Sequence, residues 1–363
     1  MIVIDADGHV FEPRNLWLDY LEPAYRDRMP QFVRDERGRL RLMLDGMLHP
    51  KPEGKGIGLP AGLRWPETPA EEQALGAFNP RRRLEDMDRE GISLALLFPT
   101  IGLSIPAVQD ARYAAALCRA LNNWMADYCR ARPDRLLGAA MIPLQDPDEA
   151  VTELRRAITE LGLRAAAIRP NPVRDRNLND PAYRPFYAAA EELGVPVMVH
   201  ETTGHYLPTA GADRFDIYLF THTLSHAFEQ MTAALSLICG GVLEEFPGLR
   251  VGFLEAGASW VPYWLWRMYE HAEKRAYEVP WLKLRPSEYF ARQCFVSCEA
   301  DETHLPATLH AIGDDTVIFA SDYPHWDAMT SGVVQALAGR PDLPEDSKAK
   351  ILEANPRRLL GLV

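Results

Sequence analysis

The chain has 363 residues, 47% hydrophobic and 25% charged, enough apolar material for one large domain or two ordinary ones and too much for a disordered chain. Its 39 Lys and Arg against 51 Asp and Glu give a net charge of -12, so nucleic acid and anionic membrane surfaces are not expected partners. No window holds the ~18 apolar residues of a membrane span, the start Met-Ile-Val-Ile lacks a basic n-region, and Cys118, Cys129, Cys239, Cys294 and Cys298 form no CxxC pair, which together indicate a cytoplasmic protein with reduced core thiols.

The first apolar run, residues 2–7, leads into IDADGHVFEP, which sets Asp5, Asp7 and His9 at i, i+2 and i+4. Strand side chains alternate, so these three are expected on one face, with open backbone at Gly8 beside them. A connection of roughly eighty residues follows, too long for a simple loop and expected to carry its own structure. Within it QFVRDERGRLRLMLDG has apolar runs flanking Arg-Gly-Arg, a hairpin signal, and residues 14–78 are read as an inserted cap over an opening. Further apolar runs at 94–99, 137–143, 163–169, 195–201, 249–255, 294–299 and 316–322 alternate with amphipathic segments at 81–91, 107–132, 147–161, 182–193, 225–246, 258–275 and 302–312. Near-continuous apolar strands separated by helices predict a parallel sheet covered on both faces. Eight such units predict an α/β fold, a (β/α)8 TIM barrel, as a single domain over 1–363. A second long connection, 202–223, is rich in Gly, Thr, His and aromatics and is expected to line the same mouth, and Pro356 is expected to separate the last helix from a short final one.

In such a barrel the chemistry sits at the C-terminal ends of the strands. Those ends carry Asp7 and His9 (first), Arg169 and Asn171 (fourth), His200 and Glu201 (fifth), Glu255 (sixth), Cys298 and Glu299 (seventh) and Asp322 (eighth). Charges crowded at one opening are costly unless something neutralises them, and a divalent cation would do so. Singly, each His reads as an ordinary hydrogen-bonded strand-end residue; as a set, Asp7, His9, His200 and Asp322 suit one or two ions of zinc, iron(II) or manganese. Glu255 and Glu299 are further candidate ligands. His226 opens the helix expected from SHAFEQMTAALSL, a poor place for a donor imidazole unless it faces a ligand, and is a catalytic candidate with Asp322 and Glu255. Arg169, His205, His325 and Trp326 are candidate substrate contacts.

The Asp5-x-Asp7-x-His9 start, the VMVH strand ending at His200 and the SDYPHWD motif from Ser321 to Asp327 resemble the amidohydrolase superfamily. More narrowly they resemble its amidohydrolase-2 branch, which includes the aminocarboxymuconate-semialdehyde and resorcylate decarboxylases. FNPRRRLEDMDREGISLALLFPT and GGVLEEFPGLRVGFLEAG extend the likeness over nearly the whole chain. The resemblance implies a metal-dependent barrel enzyme in which Asp7 and His9 replace the family's His-x-His or Glu-x-His, His200 is the strand-five ligand, Asp322 the strand-eight aspartate and Asp5 a framework aspartate. Two departures stand out. Strand four ends in Arg169 and offers no lysine to bridge two metals, and the decarboxylases' strand-six histidine is replaced by Glu255.

The chemistry these groups serve most directly is metal-assisted hydrolysis of an amide, ester, lactone or thioester in a small molecule, with Asp322 or Glu255 taking the proton of the activated water. Trp65, Phe215, Phe220, Trp260, Trp264 and Trp266, around the long loops, would admit an apolar acyl group. The alternative is non-oxidative decarboxylation of an aromatic or unsaturated carboxylic acid, with Asp322 delivering a proton to carbon. A non-catalytic metal-binding barrel is a third, weaker reading. Glu255 is expected to act as base, to ligate a second metal, or to pair with Arg169; a homo-oligomer is compatible with all of these.

Overall fold

The computed structural model describes residues 2–58, 66, 68–326, 328–329 and 331–362, so Trp65 and Asp327 lie outside the described residues. Strand β1 (Ile4–Val10) is followed by an inserted sheet of β2 (Gln31–Arg34), β3 (Leu40–Leu44) and β4 (Met47–His49). Then come β5 (Leu94–Pro99), β6 (Leu136–Met141), β7 (Ala165–Ile168), β8 (Val197–Val199), β9 (Val251–Phe253), β10 (Cys294–Cys298) and β11 (Val317–Phe319), with helices between them. The eight long-range strands form one parallel sheet in the order β1-β5-β6-β7-β8-β9-β10-β11. Every residue of β6 to β11 is buried, which is why these strands read as unbroken apolar runs. The expected barrel is borne out.

The ring closes where the chemistry-bearing residues sit. Just past β11, Asp322 N donates to Asp7 O at 2.8 Å, and His9 N donates to Tyr323 O at 2.7 Å. Arg83, from the helix Pro80–Glu90, is 1% exposed and donates to His9 O at 2.8 Å and Tyr323 O at 3.4 Å, pinning both sides of the seam. Its signal in the sequence was an arginine on the buried face of that helix, one turn before Met87.

The expectation that Asp5, Asp7 and His9 share a face needs correcting. Asp5 is level with Ala95 but Gly8 with Leu97, so β1 carries an extra residue, a bulge that breaks the alternation. Asp5 accepts from Ser321 N at 2.9 Å and Ser321 Oγ at 2.6 Å, whereas Asp7 and His9 approach His200. Gly8 gives Arg83 its room, since a Cβ there would stand 2.3 Å from the guanidinium.

The inserted hairpin forms, with Gln31 opposite Met43 and Arg34 opposite Leu40, and a third strand, unforeseen, extends it. The segment after β4 runs along the loop that follows β8: Lys51 N donates to Gly204 O at 2.7 Å and Gly56 N to Phe215 O at 2.8 Å. At the crossing, a Cβ on Gly58 would lie 2.4 Å from Gly204 Cα, so backbone packs directly on backbone. The helix after that loop spans Tyr218–Ile238, starting earlier than residue 225; its N-cap, Ile217, contributes no side-chain bond and so left no capping signal. Pro356 likewise interrupts nothing, because a wide turn at Lys350–Ala354 carries the helix through to Leu360.

Gly58→Ala is expected to prise the insertion from the 202–217 loop. Tryptic cleavage after Lys55 should accelerate at least tenfold while the helical circular dichroism is kept, at a cost of ~1–3 kcal/mol. Unchanged cleavage would show that the crossing does not hold the insertion down.

Candidate metal and active site

His9 Nδ1 lies 3.1 Å from Pro99 O, and His200 Nδ1 lies 2.8 Å from Glu201 O. A carbonyl can only accept, so each Nδ1 carries the proton and each Nε2 presents a lone pair. Those two Nε2 atoms face each other at 2.9 Å. Around them stand Asp7 Oδ1, 3.4 Å from His200 Nε2 and 3.5 Å from His9 Nε2; Glu255 Oε1, 3.5 and 3.4 Å from the same atoms; and Asp322 Oδ1, 3.6 Å from His9 Nε2. Both Asp7 oxygens are buried without a hydrogen-bond donor. Lone pairs and carboxylates pointed at one another in a dry site repel; a divalent cation is the group that fits this donor set.

The backbone is bent to deliver two of these carboxylates. Glu255 has φ +56° and Asp322 φ +51°, left-handed conformations that cost a non-glycine residue ~1–3 kcal/mol. Glu255 is then held from both sides, with Oε2 3.3 Å from His226 Nε2 and Oε1 3.2 Å from His325 Nδ1. Burial alone would raise its pKa, but His200, His226, His325 and His9 outweigh it and keep the carboxyl well below the usual range. Asp322 lies 2.7 Å from His325 Nδ1. Burial, opposed by His325 and reinforced by the Glu255 and Asp7 charges, pushes Asp322 well above its ordinary value, while Asp322 and Glu255 overcome burial to raise His325.

The remaining candidates fall elsewhere. Glu299 is exposed and contributes no atom to either potential ligand cluster among the described residues, since β10 ends by turning it outward. Arg169 is 1% exposed and donates to Leu103 O at 2.9 Å, Asn171 Oδ1 at 2.8 Å, Glu201 Oε1 at 3.1 Å and Thr202 O at 2.7 Å, so its charge is spent on the framework and its acid is Glu201, not Glu255. His205 belongs to a second buried cluster: its Nδ1 is 2.8 Å from Ser104 Oγ and 3.1 Å from Nδ1 of His49, which β4 brings in from the insertion. Burial and Arg169 push His49 down to about 4, and burial, His49 and Arg169 hold His205 well below its usual range, so both stay neutral. His226 sits two turns inside its helix, which removes the helix-start argument and replaces it with direct contact to Glu255. Sequence reasoning missed Thr100, whose Oγ1 is 3.2 Å from His325 Nε2, and His222, whose ring centroid is 4.1 Å from that of His226; only the fold brings either to the mouth. Trp260 and Trp264 pack in the helical shell, Trp260 against Phe253 and Trp264 Nε1 donating to Met231 O at 2.7 Å, rather than at the mouth.

A barrel with buried carboxylates and imidazoles at its strand ends defines a class of metal-dependent enzymes, and the chain belongs to the amidohydrolase family, whose model it matches over residues 4–362. It is 30% identical over 310 residues to the gamma-resorcylate decarboxylase of a Rhizobium species, covering 77% of this chain and 86% of that one. It is 27% identical over 289 residues to the 2-amino-3-carboxymuconate-6-semialdehyde decarboxylase of Dictyostelium discoideum, covering 78% and 77%. In fold it matches an amidohydrolase of Mycobacterium avium subsp. paratuberculosis with a TM-score of 0.81, at 24% identity over 99% of both chains. The hydrolysis put first from the sequence is overturned by these relatives, which are named as decarboxylases across most of their length; strand-end acids serve either reaction, so the residues alone could not separate them.

Arg169→Met is expected to leave Glu201 buried without its counter-charge and to destabilise the fold by ~3 kcal/mol, read as a lower urea midpoint. A raised KM with an unchanged midpoint would return Arg169 to the substrate.

Proposed function

We propose that the protein is a metal-dependent, non-oxidative decarboxylase of a small aromatic or unsaturated carboxylic acid. The observation that carries this reading is the Asp322–His325 pair, 2.7 Å apart, directly beside the converging Nε2 atoms of His9 and His200. The names of the relatives that share about three quarters of the chain support it. Asp7, His9, His200 and Asp322 would hold a divalent transition ion, with Glu255 Oε1 in reach of the same point. When bound, the ion supplies positive charge against the substrate's carboxylate, which this chain's occupied Arg169 does not.

The residues then do three things. Asp322 transfers its proton to the carbon that bears the carboxylate. The bond between that carbon and the carboxylate breaks, its electron pair returns to the conjugated system, and carbon dioxide leaves, so one proton enters the product for each carboxylate lost. His325, bridged outward to Thr100, restores the proton to Asp322 from solvent. Glu255 stays ionised between His226 and His325 and keeps the His325 proton in place by its charge. The absence of a bridging lysine at the end of β7, where Arg169 stands, favours one ion over two.

Assayed with aryl and conjugated acids and with their methyl esters, the metal-loaded enzyme is expected to evolve carbon dioxide from a free acid and to leave the esters intact. Ester cleavage without carbon dioxide would sink the reading. Asp322→Asn should lower kcat by ~10²–10⁴. Glu255→Gln should lower kcat by ~10² with the metal retained, because the proton on His325 loses its counter-charge; full turnover in that variant would remove Glu255 from the machinery.

A further inference from the structure

The relatives' names leave open whether the acid is a planar ring or an open conjugated chain, and the mouth itself distinguishes them. The helix Tyr218–Ile238 follows β8, and Trp326 lies in the loop after β11. Two strands, β9 and β10, separate β8 from β11 in the barrel, so contact between that helix and that loop crosses the opening above Glu255, two residues past the end of β9. The contact is made by rings. Tyr218 and His222 are one helical turn apart, with centroids 5.2 Å apart, and Trp326 stands edge-on to both at 5.9 and 5.6 Å. Trp326 Nε1 donates to Tyr218 Oη at 3.2 Å, which fixes the indole across the gap. Inward, His222 lies over His226, the residue that holds Glu255, and outward Trp326 is 49% exposed. Burial and His226 push His222 down to about 3, so the wall is uncharged along its length.

We propose that Tyr218, His222 and Trp326 form an aromatic wall that selects a planar aryl acid over an acyclic one, with Trp326 as the specificity-determining residue. The inference rests on the decarboxylase reading and narrows its substrate class. An extended row of ring faces and edges gives most to a flat π-system, whose quadrupole it complements in offset or edge-on contact. A flexible acyclic acid gains less from it and pays more rotational entropy to lie along it. Three neutral rings without a fixed charge also fit an aryl group better than a second carboxylate.

The test separates binding from turnover. Metal-loaded protein is titrated calorimetrically with 2-nitrophenol, an aryl compound whose nitro group stands in for the reacting carboxylate and cannot leave, and with its ring-saturated counterpart. Trp326→Leu, which keeps apolar bulk but removes the ring, should weaken 2-nitrophenol roughly tenfold. Trp326→Phe should stay within threefold of the parent, and the saturated compound should bind alike to all three proteins. The half-exposed loop position of Trp326 should leave the melting curve of both variants unchanged. No binding of 2-nitrophenol to the parent, equal binding to the Leu variant, or an equal loss for the saturated compound would overturn the proposal. Aryl binding lost in the Leu variant of an enzyme that evolves no carbon dioxide would refute the decarboxylase reading and leave the wall standing. Faster carbon dioxide release from acyclic acids than from aryl acids would refute the wall and leave that reading standing.

Discussion

Two imidazoles meeting through unprotonated nitrogens 2.9 Å apart are the constraint on which the site depends. Neither ring can turn away, because each gives its other N–H to a main-chain carbonyl, Pro99 on one side and Glu201 on the other. Neither can be relieved by a hydrogen-bond donor from Asp7, Glu255 or Asp322 without neutralising a carboxylate. A structure that spends buried backbone acceptors to hold lone pairs against each other is preorganised for a cation, and the three carboxylates around the pair supply its countercharge.

The same constraint explains why the barrel closes as it does. The two backbone bonds that join β1 to the residues after β11 involve Asp7, His9, Asp322 and Tyr323, so sealing the ring and assembling the site are one event. Asp5, bonded to Ser321, and Arg83, bonded to the carbonyls of His9 and Tyr323, hold that seam from behind. Burial, opposed by Arg83 and Ser321, leaves Asp5 above the usual carboxyl range, so part of the seam's cost is borne by this framework acid. Beside it, the Arg169–Glu201 pair joins the ends of β7 and β8 and the His49–His205 contact ties the insertion to the loop after β8, giving the mouth a second polar support that does not face the ion.

Much of this was legible in the chain. Period and burial class identified all eight barrel strands, because strands covered on both faces have no polar register to confuse them. Asp7, His9, His200, Glu255 and Asp322 could be singled out because strand ends are the only places where an apolar run suddenly turns polar. What was not legible needed three dimensions. The bulge that turns Asp5 away leaves no mark on an alternating pattern. The partner of Arg169 is a choice between Glu201 and Glu255 that spacing cannot make, and the exposure of Glu299 depends on which way β10 ends. The ring contact of Tyr218 and His222 with Trp326 joins residues more than a hundred positions apart through a helix without a capping signal. The reaction was misjudged for a chemical reason: an acid, an imidazole and a cation site serve hydrolysis and decarboxylation equally well.

The central claim is that His9 and His200 hold a divalent ion between them. Titration calorimetry of chelator-stripped protein with zinc, iron(II) or manganese, repeated in buffers of different ionisation enthalpy, tests it most directly. At neutral pH at least one ion should bind at micromolar concentration or below, to the same extent in each buffer. Failure of the folded protein to take up any of the three ions would contradict the claim.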